Sequence, residues 1–430
     1  MTTLLKYVER YQDLTFTEKA LNEVDVLILN ELVYFPLENF VVNAFNLDAG
    51  LTLEELALQF APYADLFKAT NWVLTTQDRI DLFYLIAKTP RYRDVKLFGF
   101  REQIDLEIEL QFAAVAFLIP MGSHEKILAA FRGTDDSLIG WKEDANMSFQ
   151  VEVPSQHVAK LYLNHLATLT EQNLLVSGHS KGGNLAIYAS SFVPLSVQER
   201  IDAIYSFDGP GMHLDTLETS DYENIQNRIH FYVPEDSMVG MMLEHTVKPT
   251  VIKSRKLGFA QHLVTNWLIE DDHLMRSGDV SASSLLVRQV LLEWTAQYTV
   301  AELEFFVNQG FDLLFQTGAK SVVEITNHKL KFIKLFTDRM SQLDPSTRQT
   351  IDEQFTNLFR IAFNLMRSNQ RQQHEDNLLL ITSWLKQLST SETFKLNLPS
   401  LRQLVNAKAA KEEERSVVDN DNQREVEEFY

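Results

Sequence analysis

Leu174-Leu175-Val176-Ser177-Gly178-His179-Ser180-Lys181-Gly182-Gly183-Asn184-Leu185-Ala186-Ile187-Tyr188-Ala189 reads as an apolar strand, a tight turn and an apolar helix. The Gly-His-Ser-Lys-Gly at the junction has the form of a nucleophile elbow, which lifts a serine on a sharp strand-to-helix turn. Such a turn holds the serine in a strained backbone conformation, and Gly178 and Gly182, two residues before and two after, leave the clearance it needs. At the start of the helix Ser180 Oγ meets the positive end of the helix dipole, and the free N–H of Lys181 can point at a developing oxyanion. With only 15 glycines in the chain the match rarely arises by chance, and the strand before it and the helix after it make it rarer. Ser180 is the candidate nucleophile. His179 points elsewhere and is read as structural.

Outward from the elbow, β-rich runs stand at 112–118, 126–131, 173–177, 203–207 and 228–233, with helix-like stretches such as 156–169 between several of them. Alternation of this kind implies a mostly parallel sheet covered on both faces. The first two runs are joined by Met121-Gly122-Ser123-His124 and read as a hairpin, so the sheet is expected to be mixed. Before them, residues from about Leu4 to Asp94 show helical spacing, with a capped helix start at Leu51-Thr52-Leu53-Glu54-Glu55-Leu56. After about Val300 amphipathic helical stretches at 300–314, 320–343 and 351–366 dominate. From about Lys408 the chain becomes charged and poor in large apolar groups, as a solvated helix or disordered tail would be. The expected class is therefore α/β, of the α/β-hydrolase fold. A hydrolase domain over 1–299 includes N-terminal helices at 1–95, and a helical module (300–405) and a charged tail (406–430) follow it.

The bulk numbers exclude several functions. A formal net charge of −20 argues against holding a polyphosphate backbone, so nucleic acid is not an expected partner, and against electrostatic docking to anionic lipid. The absence of cysteine removes disulfides, thiol catalysis and Cys-ligated metals, and fits a reducing cytoplasm. The first ten residues have neither the basic nor the apolar region of a signal peptide, and no run of about 18 apolar residues suggests a transmembrane helix. No metal-ligand spacing is visible, and neither a metal nor an organic cofactor is expected.

A second oxyanion donor is required on a loop after an earlier strand. The run 126–131 leads into Arg132-Gly133-Thr134-Asp135-Asp136-Ser137, with Trp141 and Asp144 following. Phe131-Arg132-Gly133-Thr134, the Trp and Asp after it, and the Gly-His-Ser-Lys-Gly elbow together resemble the class 3 lipases, the fungal triacylglycerol lipase type. The longer string with Gly140-Trp141-Lys142-Glu143-Asp144 is still more similar to a bacterial branch of that superfamily, the Mbeg-like domain. This similarity reaches from the N-terminal helices to about Trp294 and leaves out the C-terminal third. The resemblance implies that Thr134 is an oxyanion residue, donating its backbone N–H and often its side-chain hydroxyl, while Asp144 and Arg132 brace the loop.

A serine nucleophile needs a histidine to take its proton and a carboxylate to orient that histidine, and in this fold the chain order is Ser, acid, His. The segment 228–233 is a strand, and Pro234-Glu235-Asp236-Ser237-Met238-Val239 is the loop at its C-terminal end, where catalytic side chains of open α/β sheets collect. The family pattern of an Asp followed shortly by Val implies Asp236 as the acid, with Glu235 facing away. Asp208, in Phe207-Asp208-Gly209-Pro210-Gly211, also ends a strand and is the rival carboxylate; class 3 lipases usually carry Gly or Ala there, no definite role is assigned to it, and it is expected to line the pocket or fix the turn rather than serve the triad. For the base, Gly258-Phe259-Ala260-Gln261-His262-Leu263-Val264-Thr265-Asn266-Trp267 resembles the family segment in which a loop histidine precedes a strand with an aromatic, which implies His262. His245 comes soon after the acid, His273 follows Asp271-Asp272 as a surface residue would, and His328 and His374 lie in the helical module.

The reading is a serine hydrolase: Ser180 attacks an acyl carbonyl, His262 shuttles the proton, Asp236 orients His262, and the N–H groups of Thr134 and Lys181 hold the oxyanion. The resemblance implies an acyl ester or lipid-like substrate. A peptidase or amidase of the same fold shares every residue named, and a hydrolase-fold scaffold whose C-terminal helices recruit a partner protein is the remaining alternative.

Overall fold

The computed structural model describes residues 2–41, 45–63 and 77–369. Eight strands form one sheet in chain order: β1 (Leu51–Thr52), β2 (Lys96–Asp105), β3 (Leu110–Pro120), β4 (Glu125–Phe131), β5 (Leu174–His179), β6 (Ile201–Phe207), β7 (Ile229–Pro234) and β8 (Thr250–Ile252). Strands β1 to β4 pair antiparallel and β4 to β8 pair parallel, so the sheet is mixed and the expected α/β class holds. The hairpin expected at 121–124 joins β3 to β4. Strand β2 has no counterpart in the sequence reading, because its second half carries Arg101 and Glu102 side by side where the ladder breaks register after Phe98.

The sequential order of the parallel strands governs how the sheet is covered. Crossovers between parallel strands are right-handed as a rule, and right-handed crossovers that advance one strand at a time in one direction all fall on the same face. That face carries α5 (Leu138–Asn146) and α6 (Pro154–Thr168) between β4 and β5, and α7 (Lys181–Phe192) between β5 and β6. Phe131 and Val176 of the sheet pack there with Leu163, Leu166, Leu185 and Ala186.

The opposite face receives no crossover, and the N-terminal helices α1 (Leu4–Tyr11), α2 (Glu23–Glu31), α3 (Leu53–Phe60) and α4 (Gln77–Ile86) cover it. Leu128, Ala130, Leu175 and Phe207 meet Val24, Leu27, Phe83 and Trp267 on this side. Helix α2 is buried from Val24 to Glu31, so its acids need partners. Asp25 accepts from both Arg91 (Nη2 2.6 Å) and Tyr92 (2.5 Å), and Glu31 from Arg79 (2.5 Å). Asn22 closes a capping box with Asp25 at the helix start. The expected helical layer is thus the lid of the sheet's second face.

After β8, a short β9 (Ile269–Glu270) and β10 (His273–Leu274) precede α8 (Ala282–Thr295) and α9 (Val300–Gln316). The chain divides into compact units Met1–Asn327 and His328–Tyr430. Helix α9, read as the start of the helical module, falls in the first unit. The reason is main-chain pairing: Leu138 N–H donates to Lys320 O (3.0 Å) and Val322 N–H to Asp136 O (3.1 Å), stitching the stretch after α9 to the loop before α5. The helical stretch read over 320–343 is broken at Asn327 into α10 (Val322–Asn327) and α11 (Lys329–Gln342), and α12 (Pro345–Asn369) follows. The remainder of the helical module and the charged tail lie outside the described residues.

Candidate active site

Ser180 stands between β5 and α7 with φ 58° and ψ −133°, a backbone conformation that an L-residue adopts only under constraint. Its amide donates to Phe207 O (3.0 Å) and its carbonyl accepts from Gly183 N–H (2.9 Å), which pins the bend from both sides. The two flanking glycines are needed for a more specific reason than room around the serine. A Cβ on Gly178 would overlap the Gly182 carbonyl, and one on Gly182 would overlap the Phe131 carbonyl of β4. The elbow therefore folds only because its two arms touch each other and the neighbouring strand.

The loop after β4 lies directly against the serine: a Cβ on Gly133 would come within 2.8 Å of Ser180 Cβ and 2.6 Å of His179 O. Thr134, next in the chain, donates its hydroxyl to Asp144 Oδ2 (2.5 Å), so the side chain is spent on bracing and its backbone N–H is what the loop offers. Burial pushes the Asp144 carboxyl up to about 6, with the Lys181 ammonium and the Thr134 hydroxyl drawing it partway back. The Lys181 side chain is itself buried, donating to Glu143 Oε2 (2.9 Å) and to Gln111 O (2.8 Å) and Oε1 (2.6 Å). It ties the first turn of α7 to α5, while the N-terminal N–H groups of a helix have no intrahelical acceptor. Arg132 pairs with Glu102 and so holds the loop from its other end.

His262 ends a short 3-10 turn, Gly258–His262, and its Nδ1 lies 2.6 Å from Asp208 Oδ2. Asp208 is fully buried, has φ 50°, and its other oxygen accepts from Ser237 Oγ (2.5 Å) and Gly240 N–H (3.2 Å). Asp236, expected to orient His262, does not do so. Its Oδ2 accepts from Gly258 N–H (2.9 Å) and Gln261 Nε2 (2.8 Å), and its own N–H donates to Gln261 Oε1 (3.0 Å). The correction follows from sheet order: β6 is the immediate neighbour of β5, with Phe207 in register with His179, so the residue after β6 ends beside the residue after β5. Asp236 lies after β7, one strand further out, and there it braces the loop that carries His262. Glu235 faces away as expected, bonded to Ser277.

His179 is buried with both ring nitrogens engaged, Nδ1 2.7 Å from Tyr34 Oη and Nε2 2.8 Å from the His262 carbonyl oxygen. Its ring centroid lies 4.6 Å from that of His262, so the His262 ring stands against the elbow. His245 stacks on Phe231, and burial lowers it to about 4. His273 is exposed and meets Asp272 and Glu23. Tyr34, Gln261 and Ser237 had no signal in the sequence, since each is identified only by what the fold brings to it. Among the described residues no group of three or more His, Asp or Glu side chains is arranged to hold a metal ion, and no helix is long and apolar enough to cross a membrane.

No curated protein matches the chain. A solved structure, the crystal structure of M37 lipase, is similar at 13% identity with a TM-score of 0.33, over 52% of this chain and 71% of that one. The Mbeg1-like family matches residues 86–315, more than half of the 430 residues and all of the elbow, the loop after β4 and the two loops that carry Asp208 and His262. The chain belongs to the Mbeg1-like family.

Proposed function

We propose that the chain is a serine hydrolase that cleaves carboxylic, acyl-type esters with Ser180 as nucleophile, His262 as base and Asp208 as the orienting acid. The observation that carries this reading is the pairing of His262 Nδ1 with a buried carboxylate, its ring 4.6 Å from that of His179 in the elbow whose next residue, Ser180, is held at φ 58° on the strand-to-helix bend. The Asp208 bond assigns the proton of the neutral imidazole to Nδ1 and leaves Nε2 free to accept the Ser180 proton. As Ser180 Oγ bonds to the acyl carbon, the carbonyl oxygen becomes an oxyanion, met by the N–H groups of Thr134 and Lys181 at the mouth of the α7 dipole. Collapse returns the proton from His262 to the leaving alcohol. Water, deprotonated by the same imidazole, then releases the acid and regenerates Ser180. The cysteine-free composition supports a cytoplasmic setting.

The test is a fluorophosphonate probe on the folded chain, followed by a screen of acyl esters from short to long chain beside the matching amides. Labelling and ester turnover that vanish in Ser180→Ala are expected. Amide turnover exceeding that of esters would make the chain a peptidase or amidase, and a folded wild type that neither labels nor turns over would make it an interaction scaffold.

A further inference from the structure

The hydrogen bonds around His179 have only one possible polarity. The His262 carbonyl oxygen can only accept, so His179 Nε2 carries the proton and Nδ1 is the bare nitrogen. Nδ1 must then accept from the Tyr34 hydroxyl (2.7 Å), and the Tyr34 oxygen accepts in turn from Gly133 N–H (3.2 Å). A line of bonds runs from the oxyanion loop through the phenol to the elbow imidazole and ends on the main chain of the base, with a longer contact from the phenol to the His179 carbonyl oxygen (3.4 Å) beside it. Tyr34 follows α2 and is fully buried over the guanidinium of Arg79, at 4.2 Å from ring centroid to Cζ. It reaches the elbow across 145 residues of chain.

We infer that Tyr34 and His179 are positioning residues for the proposed reaction, fixing the main chain of His262 and the amide of Gly133 relative to Ser180. Asp208 holds the His262 side chain and His179 holds its backbone, so the imidazole is fixed at two points. The Gly133 amide is spent on Tyr34, which orients the following peptide and leaves Thr134 N–H as the donor of the loop. The N-terminal helical layer thereby belongs to the active site and is more than a cover for the sheet. Burial, with the nearby charges of His262 and Arg79, holds His179 well below the usual histidine range, in keeping with a neutral ring that must accept at Nδ1.

The inference rests on the hydrolase reading, and its test separates the two. Tyr34→Phe removes one oxygen and keeps the ring, and His179→Gln keeps a donor toward His262 but moves the acceptor away from the Nδ1 position that faces Tyr34. Each is expected to lower the fluorophosphonate labelling rate about tenfold, the size of one buried hydrogen bond, with half-saturation close to wild type and a melting temperature lowered by a few degrees in a chain that stays folded under the assay. The double variant is expected to be no slower than the slower single one, since both cut the same line. Wild-type labelling rates in folded Tyr34→Phe, or losses that multiply in the double variant, would overturn it. Nitrogen-15 imidazole spectra of the folded Ser180→Ala chain read the line without turnover. His179 is expected as the Nε2–H tautomer, with its Nδ1 resonance moved by Tyr34→Phe, and the Nδ1–H tautomer would overturn the inference even if the chain labels well. If the chain does not label, the hydrolase reading and this inference fall together, and the spectra then describe a structural bond only.

Discussion

Asp208 Oδ2 and His262 Nδ1 lie 2.6 Å apart across 54 residues of chain, while Asp236, much nearer to His262 in sequence, spends its carboxylate on Gly258 and Gln261. Two carboxylates thus serve one histidine in different ways. One meets the ring and the other shapes the turn that presents it.

This division predicts unequal losses. Asp208→Asn should lower ester turnover roughly a thousand- to ten-thousand-fold, because an amide at Nδ1 favours the wrong imidazole tautomer. Asp236→Asn keeps an oxygen for Gly258 N–H and should lose about tenfold or less, the scale of one hydrogen bond. Turnover of a short acyl ester by the two folded variants checks the order, and a larger loss in Asp236→Asn would sink the Asp208 assignment.

The elbow was legible in the sequence because everything that makes it is contiguous: strand, bend and helix occupy Leu174 to Ala189, and the glycines collide only with one another and with the adjacent strand. The choice between Asp208 and Asp236 was not legible, since each follows a strand and only the lateral order β5, β6, β7 decides which one ends beside Ser180. Tyr34 was invisible for the same reason in stronger form, because its partners Gly133, His179 and Arg79 come from three separate elements, the loop after β4, the end of β5 and helix α4. The main-chain bonds between 136–138 and 320–322 were not legible either, because they do not depend on side-chain identity.

The glycines offer a contrast within one chain. Gly178→Ala and Gly182→Ala each force a carbon into a backbone carbonyl and should cost more than about 4 kcal/mol, which is enough to empty the folded state of a marginally stable protein. Gly310, inside α9, has nothing within 4 Å of a built Cβ, and Gly310→Ala should gain about 0.5–1 kcal/mol from helix propensity alone. Soluble yield and thermal midpoints of the three variants check this, and a well-folded Gly178→Ala would contradict the packing described at the elbow.

Asp144 predicts a pH dependence. Its folded carboxyl titrates at about 6 because it is buried, whereas an unfolded aspartate titrates near 4. The folded state therefore keeps a proton that the unfolded state releases, and the stability it contributes is complete below about pH 4 and lost as pH rises through about 6. The loss is on the order of 2–3 kcal/mol at neutral pH. Asp144→Asn cannot titrate, so urea unfolding from pH 4 to 7 should show the variant gaining on the wild type across that window. Parallel curves would show that the carboxyl titrates alike in both states.

Lys181 separates side chain from backbone at the oxyanion site. Its ammonium is buried against the equally buried Glu143, whose oxygens also accept from Gln111 N–H (3.0 Å) and Ser155 N–H (2.7 Å). Lys181→Met leaves that carboxylate without its counter-charge and should cost about 3–5 kcal/mol. Adding Glu143→Gln removes the stranded charge and should return about 1–2 kcal/mol, measured as a coupling energy between the two sites. The N–H of residue 181 survives both changes. If that amide, and not the ammonium, meets the oxyanion, the folded double variant should label with fluorophosphonate within about tenfold of wild type, and a loss near that of Ser180→Ala would move the role to the side chain.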